Sequence, residues 1–331
     1  MMAKMITSPF AVESPMIAAM RVACWCLALI LPLASIGLAE GELAEAHPVP
    51  ADHLRFVTWN LEVFNQRNTN PFHKENPNGP RTPVQLDKLA RRVIGFDAAV
   101  ISLQEMNDVP ALYDLRDRMN GGKEAKGPWQ VQALSDSTTR QQNALLWDDR
   151  KVALVSAAFA FSTPSAGMYP HEFAYRSPVT GLFSLKGVPE RKFRVIGIHG
   201  SWQTEDFRKN QGRWVSAYIA DLLKDPEQPR EIILAGDMNG TNESGDEPHE
   251  GIISGGQMIY IPKRNKDATA IGGPAIDSFY LTEAARKRLS DPTSFVVRND
   301  FYEESETEFR LVCSDHFAVF IDYFVGEKAG E

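Results

Sequence analysis

Cysteine is scarce: 331 residues hold three, Cys24, Cys26 and Cys313. The first two lie in an apolar N-terminal run, so the rest of the chain keeps one and cannot close an internal disulfide. Cys313 reads as a small apolar packing residue rather than a nucleophile. No Cys/His set with the spacing of a zinc site occurs either. Positive charge is also in short supply, with 35 Lys and Arg against 43 Asp and Glu and a net charge of -8. Residues 1–39 carry Lys4 and Arg21 against Glu13, so their removal leaves -9. Such a chain has no broad basic surface for coating nucleic acid. It can still act on a phosphate locally, where a bound divalent cation supplies the missing charge. Internal repeats, long charge blocks and domain-splitting linkers are absent as well.

What is present starts with a targeting segment. Arg21 precedes the apolar run Val22–Ala34, and Gly37-Leu38-Ala39 offers small residues for cleavage. This predicts a signal peptide over 1–39, a short leader over 40–53, one domain over 54–325 and a tail over 326–331. Export to the periplasm or medium follows, with no membrane span after cleavage.

Within the domain, several buried apolar strands end in side chains that bind metal or move protons. Phe56-Val-Thr-Trp59 leads to Asn60, Val100–Gln104 to Glu105, and Val195–Ile198 to His199. Ile232–Ala235 leads through Gly236 to Asp237 and Asn239, and Ala275-Ile276 to Asp277. Ser314-Asp315-His316 precedes the apolar run Phe317–Ile321. Period-two alternation puts Asp237 and Asn239 on one side, and Asp-Met-Asn-Gly is also good Asx-turn chemistry. Six such strand ends imply a single pocket.

Helical spacing marks Leu86–Ile94, residues 110–119 and Trp214–Leu223. Residues 65–83 and the Gly-rich stretch 240–274 read as long site-side loops, the places where substrate is chosen. Strands outnumber helices, and helices fall both early and late. That favours two packed sheets with helices outside.

Taken in order, Trp59-Asn60, Gln104-Glu105, Arg176-Ser-Pro178, His199, Gly236-Asp-Met-Asn239, Ile276-Asp277 and Ser314-Asp-His316 resemble the endonuclease/exonuclease/phosphatase superfamily. Each motif alone is weak; the ordered set over 54–324 is specific. The resemblance implies a DNase I-like four-layer αββα sandwich, two mixed β-sheets face to face with outer helices. It also implies hydrolysis of phosphoric esters with a divalent metal, usually Mg²⁺, with Mn²⁺ or Ca²⁺ as substitutes. By resemblance, Glu105 is the main metal ligand, with Asn60 and Asp315. Asp237 and Asn239 position the attacking water and phosphate oxygens. Asp277 supports His316, while His199 and Arg176 meet the phosphate. The resemblance places a carboxylate supporting His199 near Gln141, where this chain has an amide, and an acidic residue where Ser177 stands.

The expected activity is that of a phosphodiesterase, a nuclease acting on DNA or RNA as a monomer without a stable protein partner. Sphingomyelin and sugar or inositol phosphates are the alternative substrates, and a non-catalytic binding protein is the remote one. Arg140, Arg176, Arg191, Lys192, Arg208, Lys209, Arg213, Lys263, Arg264 and Lys266 are expected mostly in or beside site-side loops. Trp214 reads as core, and Trp202 as a residue that could line the pocket.

Overall fold

The structure is a computed structural model that describes residues 47–64, 81–123, 125–133, 141–159, 176–241, 247–265, 267–298 and 305–326. The expected signal peptide and most of the loop at 65–83 lie outside them. Twelve strands are described: β1 (His53–Phe64), β2 (Ala98–Met106), β3 (Trp129–Ala133), β4 (Gln142–Asp148), β5 (Val152–Phe159) and β6 (Val179–Leu185), then β7 (Val188–His199), β8 (Ile232–Asp237), β9 (Ile259–Ile261), β10 (Asp277–Leu281), β11 (Phe295–Val296) and β12 (Val319–Phe324). They form two six-stranded sheets, ordered β11-β12-β1-β2-β4-β3 and β5-β6-β7-β8-β10-β9. Each is mixed, with one parallel pair at its centre, β1–β2 or β7–β8. The expected pair of mixed sheets is therefore present.

Alternation assigns the faces. Val195, Ile233, Ala235, Phe279 and Leu281 share one core with residues of the other sheet. Their neighbours Ile196, Ile198, Ile232, Leu234 and Tyr280 join a second core under helix α3 (Glu205–Lys224), with Trp214, Val215, Tyr218 and Ile219. Trp214 is thus core, as its helical spacing predicts. Between the sheets, Phe56 meets Phe193 edge to face at 5.3 Å. Gly197 is needed here: a Cβ would lie 2.6 Å from Ser102 Oγ on the facing sheet.

Helices α1 (Pro83–Gly95) and α2 (Val109–Met119) follow β1 and β2. Thr82 caps α1 in a full capping box with Gln85. Leu86, Leu89, Ala90 and Val93 form its buried stripe. The stretch 240–274 is not one loop. It contains α4 (Glu247–Ile253) and β9, because Gly212 and Gly251 let α3 and α4 pack backbone to backbone. Two short helices complete the set, α5 (Glu283–Arg286) and α6 (Glu306–Val312). No helix among the described residues is long and apolar enough to cross a membrane.

First and last strands are tied by a buried pair. Arg55 on β1 binds Asp322 on β12 through two bonds, 2.8 and 2.9 Å, with its side chain fully buried. Those residues are also register partners, so the ion pair and the strand ladder specify one alignment.

Candidate active site

The topology itself gathers the site. Parallel neighbours end on the same side, so Asn60 and Glu105 leave one sheet beside each other, and His199 and Asp237 leave the other as direct register partners. β10 runs antiparallel to β8, which sets its first residue, Asp277, opposite Asp237. His316 arrives the same way, just before β12 turns down along β1. His199, Asp237 and Asp277 all have the parity that faces the opposite sheet, as do the core residues below them.

Glu105 breaks that rule. Its parity matches Ile101 and Leu103, whose odd-numbered places look away from Ser102 and Gln104. A left-handed backbone, φ 61°, and a register shift against β4 re-aim it. Glu62 (φ 41°), Val63 (φ 50°) and Asn239 (φ 51°) share that conformation. Left-handed non-glycine residues cost energy and cluster at functional sites, and four of the six described here sit at this edge.

Asp237 is the hub. Its Oδ2 accepts the Asn60 amide at 2.9 Å, and lies 3.4 Å from His199 Nε2 and 3.8 Å from His316 Nε2. Its Oδ1 accepts the Asn239 backbone N–H at 2.8 Å, the Asx turn expected from Asp-Met-Asn-Gly. Burial above all, with Asp277 nearby, raises this carboxyl to about 6. A carboxylate poised there suits proton transfer near neutral pH.

The two histidines are in opposite states. His316 Nδ1 donates to Asp277 Oδ2 at 2.8 Å. Burial opposes a charge on that ring, yet Asp277, Asp237 and Asp315 together raise it well above the ordinary range. An imidazolium results, with Nε2–H facing carboxylates at 3.8 Å, too far to be consumed by them. At His199, an arginine can only donate, so Nε2 accepts from Arg176 Nη1 at 2.8 Å. Burial, then Arg176 and His316, push this ring well below the ordinary range. Its Nδ1 is buried without a partner among the described residues. Burial and these two cations, Arg176 and His316, therefore keep His199 neutral.

Arg176 also donates to Gly200 O at 2.7 Å, the carbonyl that takes the Asn239 side chain at 3.0 Å. Asn143 holds the arginine's backbone, donating to the carbonyls of Arg176 and Ser177. Burial lowers the Arg176 guanidinium, leaving it a cation at any working pH.

By chemistry the donors suit a divalent cation, since Glu105, Asp315 and the unforeseen Glu62 offer only oxygen at this edge, where the Asp315 backbone N–H donates to Glu62 Oε2 at 3.1 Å. Burial and the nearby charges of Glu62 and Glu105 raise the Asp315 carboxyl. Arg310 partly offsets that excess, binding Glu62 at 2.5 Å with Asp315 at 3.7 Å. Crowded carboxylates with surplus negative charge are what a hard cation takes. Asn60, the third expected ligand, lies beside Glu105. Its carbonyl accepts the Glu62 N–H and its amide bridges Glu105 and Asp237. Among the described residues, Asp237, Asp277 and His316 are the grouping whose ligand atoms all lie within 4.8 Å of one another and that could hold a metal.

The family model described as Endonuclease/Exonuclease/phosphatase family matches residues 57–316, most of the chain. The chain belongs to this family. Its members hydrolyse phosphoric esters, which makes the chain a phosphoric ester hydrolase, and they typically depend on a divalent metal. A search of curated proteins finds no match. Solved structures share the fold at low identity. An endonuclease/exonuclease/phosphatase from Bacteroides vulgatus aligns at 15% identity and TM-score 0.59, over 82% of this chain and 98% of its own. Danio rerio TDP2 with single-strand DNA product aligns at 14% identity and TM-score 0.55, over 82% and 98%. A mannosyl-6-phosphatase from Bacteroides thetaiotaomicron aligns at 16% identity and TM-score 0.53, over 81% and 98%.

Every residue anticipated for the family's site reaches this one edge. Of the anticipated basic set, Arg176 does so too, but several others do not. Arg191 and Lys192 lie in the first half of β7, remote from its His199 end, and Arg191 binds the carbonyls of Phe324 and Val325. Lys263 is buried against Ser278. Arg140 and Lys266 fall outside the described residues. Sequence reading missed Glu62, Asn143 and Thr269. The Thr269 hydroxyl receives the backbone N–H of both Ile276 and Asp277, and its carbonyl takes Phe317 N–H. That threonine therefore straps the start of β10, which carries Asp277, to the segment before β12, which carries His316.

Proposed function

We propose that the chain is a divalent-metal-dependent phosphodiesterase that cleaves DNA with little sequence preference, working as a monomer outside the cytoplasm after loss of residues 1–39. The observation that carries the chemistry is Asp237, raised to about 6 and set between one neutral and one charged histidine. Asp237 takes the proton of a water that attacks phosphorus. His316, held charged by Asp277, offers Nε2–H to the oxygen that leaves. Arg176 and the Asn239 amide, both hung from Gly200 O, orient the non-bridging oxygens. A cation held by Glu105 and Asp315 would neutralise charge developing on the phosphoryl group. The choice of DNA is supported by the TDP2 neighbour, which carries a single-strand DNA product at the same fold.

The deciding experiment is one substrate panel at low ionic strength with Mg²⁺: plasmid, single-stranded DNA, RNA, sphingomyelin, inositol phosphates, mannose 6-phosphate and bis-p-nitrophenyl phosphate. Metal-dependent nicking of plasmid without preferred positions is expected. Intact DNA beside hydrolysed sphingomyelin or sugar phosphate would reject the nuclease reading and leave the family unaffected. N-terminal sequencing of exported protein should begin near Glu40.

A further inference from the structure

We propose that Trp202 is the stacking platform for an unpaired nucleobase beside the scissile phosphate. The inference rests on the nuclease reading above. The other described tryptophans, Trp59, Trp129, Trp147 and Trp214, are at most 7% exposed, whereas Trp202 is 68% exposed. Leaving an indole in water forfeits burial that the rest of the chain takes wherever it can.

The backbone beneath the ring is fixed to the phosphate grip. Gly200 N–H donates to Asp237 O at 2.8 Å, and Gly200 O receives both Arg176 and Asn239. A side chain at 200 would overlap the Met238 carbonyl, so the loop lies directly against the Asp237–Asn239 turn. Ser201 N–H is held by the buried Gln211 at 2.8 Å, Gln203 N–H by Ser201 Oγ at 3.2 Å, and Thr204 caps α3. Trp202 lies within this pinned segment. Three residues from His199, its Cα lies within about 11 Å of the histidine's by chain geometry alone. A base attached to the sugar next to the bound phosphate falls within reach of such a ring.

An indole face stacks on any base, which accords with cleavage indifferent to sequence. Membrane insertion needs a contiguous apolar patch. The other exposed large hydrophobics described, Val84, Tyr113, Val155 and Val188, lie on separate elements.

The test uses the exported full chain in chelator, so that binding is read without cleavage. Because Trp202 is the exposed indole, oligo(dT) should remove the iodide-quenchable part of the tryptophan emission, and Trp202→Phe should abolish that signal. Trp202→Ala should weaken oligo(dT) binding roughly 5- to 100-fold, the range for one lost base stack. Trp202→Phe should recover most of that affinity. An abasic oligomer of equal length should bind wild type and Trp202→Ala alike. Equal weakening on intact and abasic oligomers, or none on either, overturns the proposal while plasmid nicking keeps the nuclease reading. A wild type that neither binds nor cuts DNA overturns both. A blue-shifted emission on sphingomyelin vesicles with no response to oligo(dT) overturns it in favour of a membrane contact.

Discussion

Asp277→Asn separates orientation from charge at the centre of the site. The two side chains have the same shape, so packing survives, but the bond to His316 Nδ1 loses its anionic acceptor. A hydrogen bond to a charged group is worth about 1.5–3 kcal/mol net. Asp277 is the leading support of the charged ring and the one in direct contact with it, against a burial that favours neutrality. Losing it moves the titration of His316 down. Because the native ring is raised, its charge now persists into alkaline solution; in the variant the charge disappears at lower pH. Turnover of bis-p-nitrophenyl phosphate should therefore fall on the alkaline side, by at most roughly 10- to 100-fold, the equilibrium equivalent of that bond, and recover toward acid, with the basic limb of the rate profile displaced to lower pH. His316→Ala should lose 10²–10⁴-fold at every pH, about the full value of a positioned proton donor. Rates from pH 5.5 to 9 at saturating Mg²⁺, with melting curves to confirm folding, provide the measurement. An unmoved profile accompanied by a tenfold higher Mg²⁺ requirement would refute the reasoning and make Asp277 a metal ligand.

Chelation of divalent metal should abolish hydrolysis and Mg²⁺ or Mn²⁺ should restore it, since the donors at Glu105, Asp315 and Glu62 are all oxygen; full activity in excess chelator would remove the metal from the mechanism. Lys263, 7% exposed, is lowered by burial from 10.5 to about 8. The fold therefore releases this proton before the unfolded chain does, so stability should rise between about pH 8 and 10.5, by on the order of 3 kcal/mol. Lys263→Met should flatten that part of the stability curve in urea titrations and stabilise the protein below pH 8. Gly236→Ala puts a Cβ into the Ile198 carbonyl and should cost about 3 kcal/mol or more, read as a drop in melting temperature.

Much of this site was legible because parallel strands end together. Apolar runs closing on Asn60, Glu105, His199 and Asp237 announce both the sheet and the pocket, and period-two parity aims His199, Asp237 and Asp277 inward. Glu105 was found as a strand end, although parity alone would have turned it outward; its left-handed backbone has no local signature, since glutamate does not favour positive φ. Glu62 and Thr269 were missed because their roles depend on residues distant in the chain, Arg310 and Asp315 for the one and Phe317 for the other. The helix at Glu247–Ile253 hid in a Gly-rich stretch whose glycines serve contact with α3 instead of flexibility. The basic residues misled for a related reason: an arginine such as Arg191 next to a turn looks free in sequence, whereas here it clasps the carbonyls that follow β12.

The ladder between β1 and β12 has a temporal consequence. Catalytic groups are spread from Asn60 to His316, and the last of them is placed only when the final strand docks on the first. A chain still emerging from the ribosome has no hydrolytic centre even when three quarters of it is made. Completion of the polypeptide is thus its own safety catch, releasing activity only once synthesis has passed the closing strand.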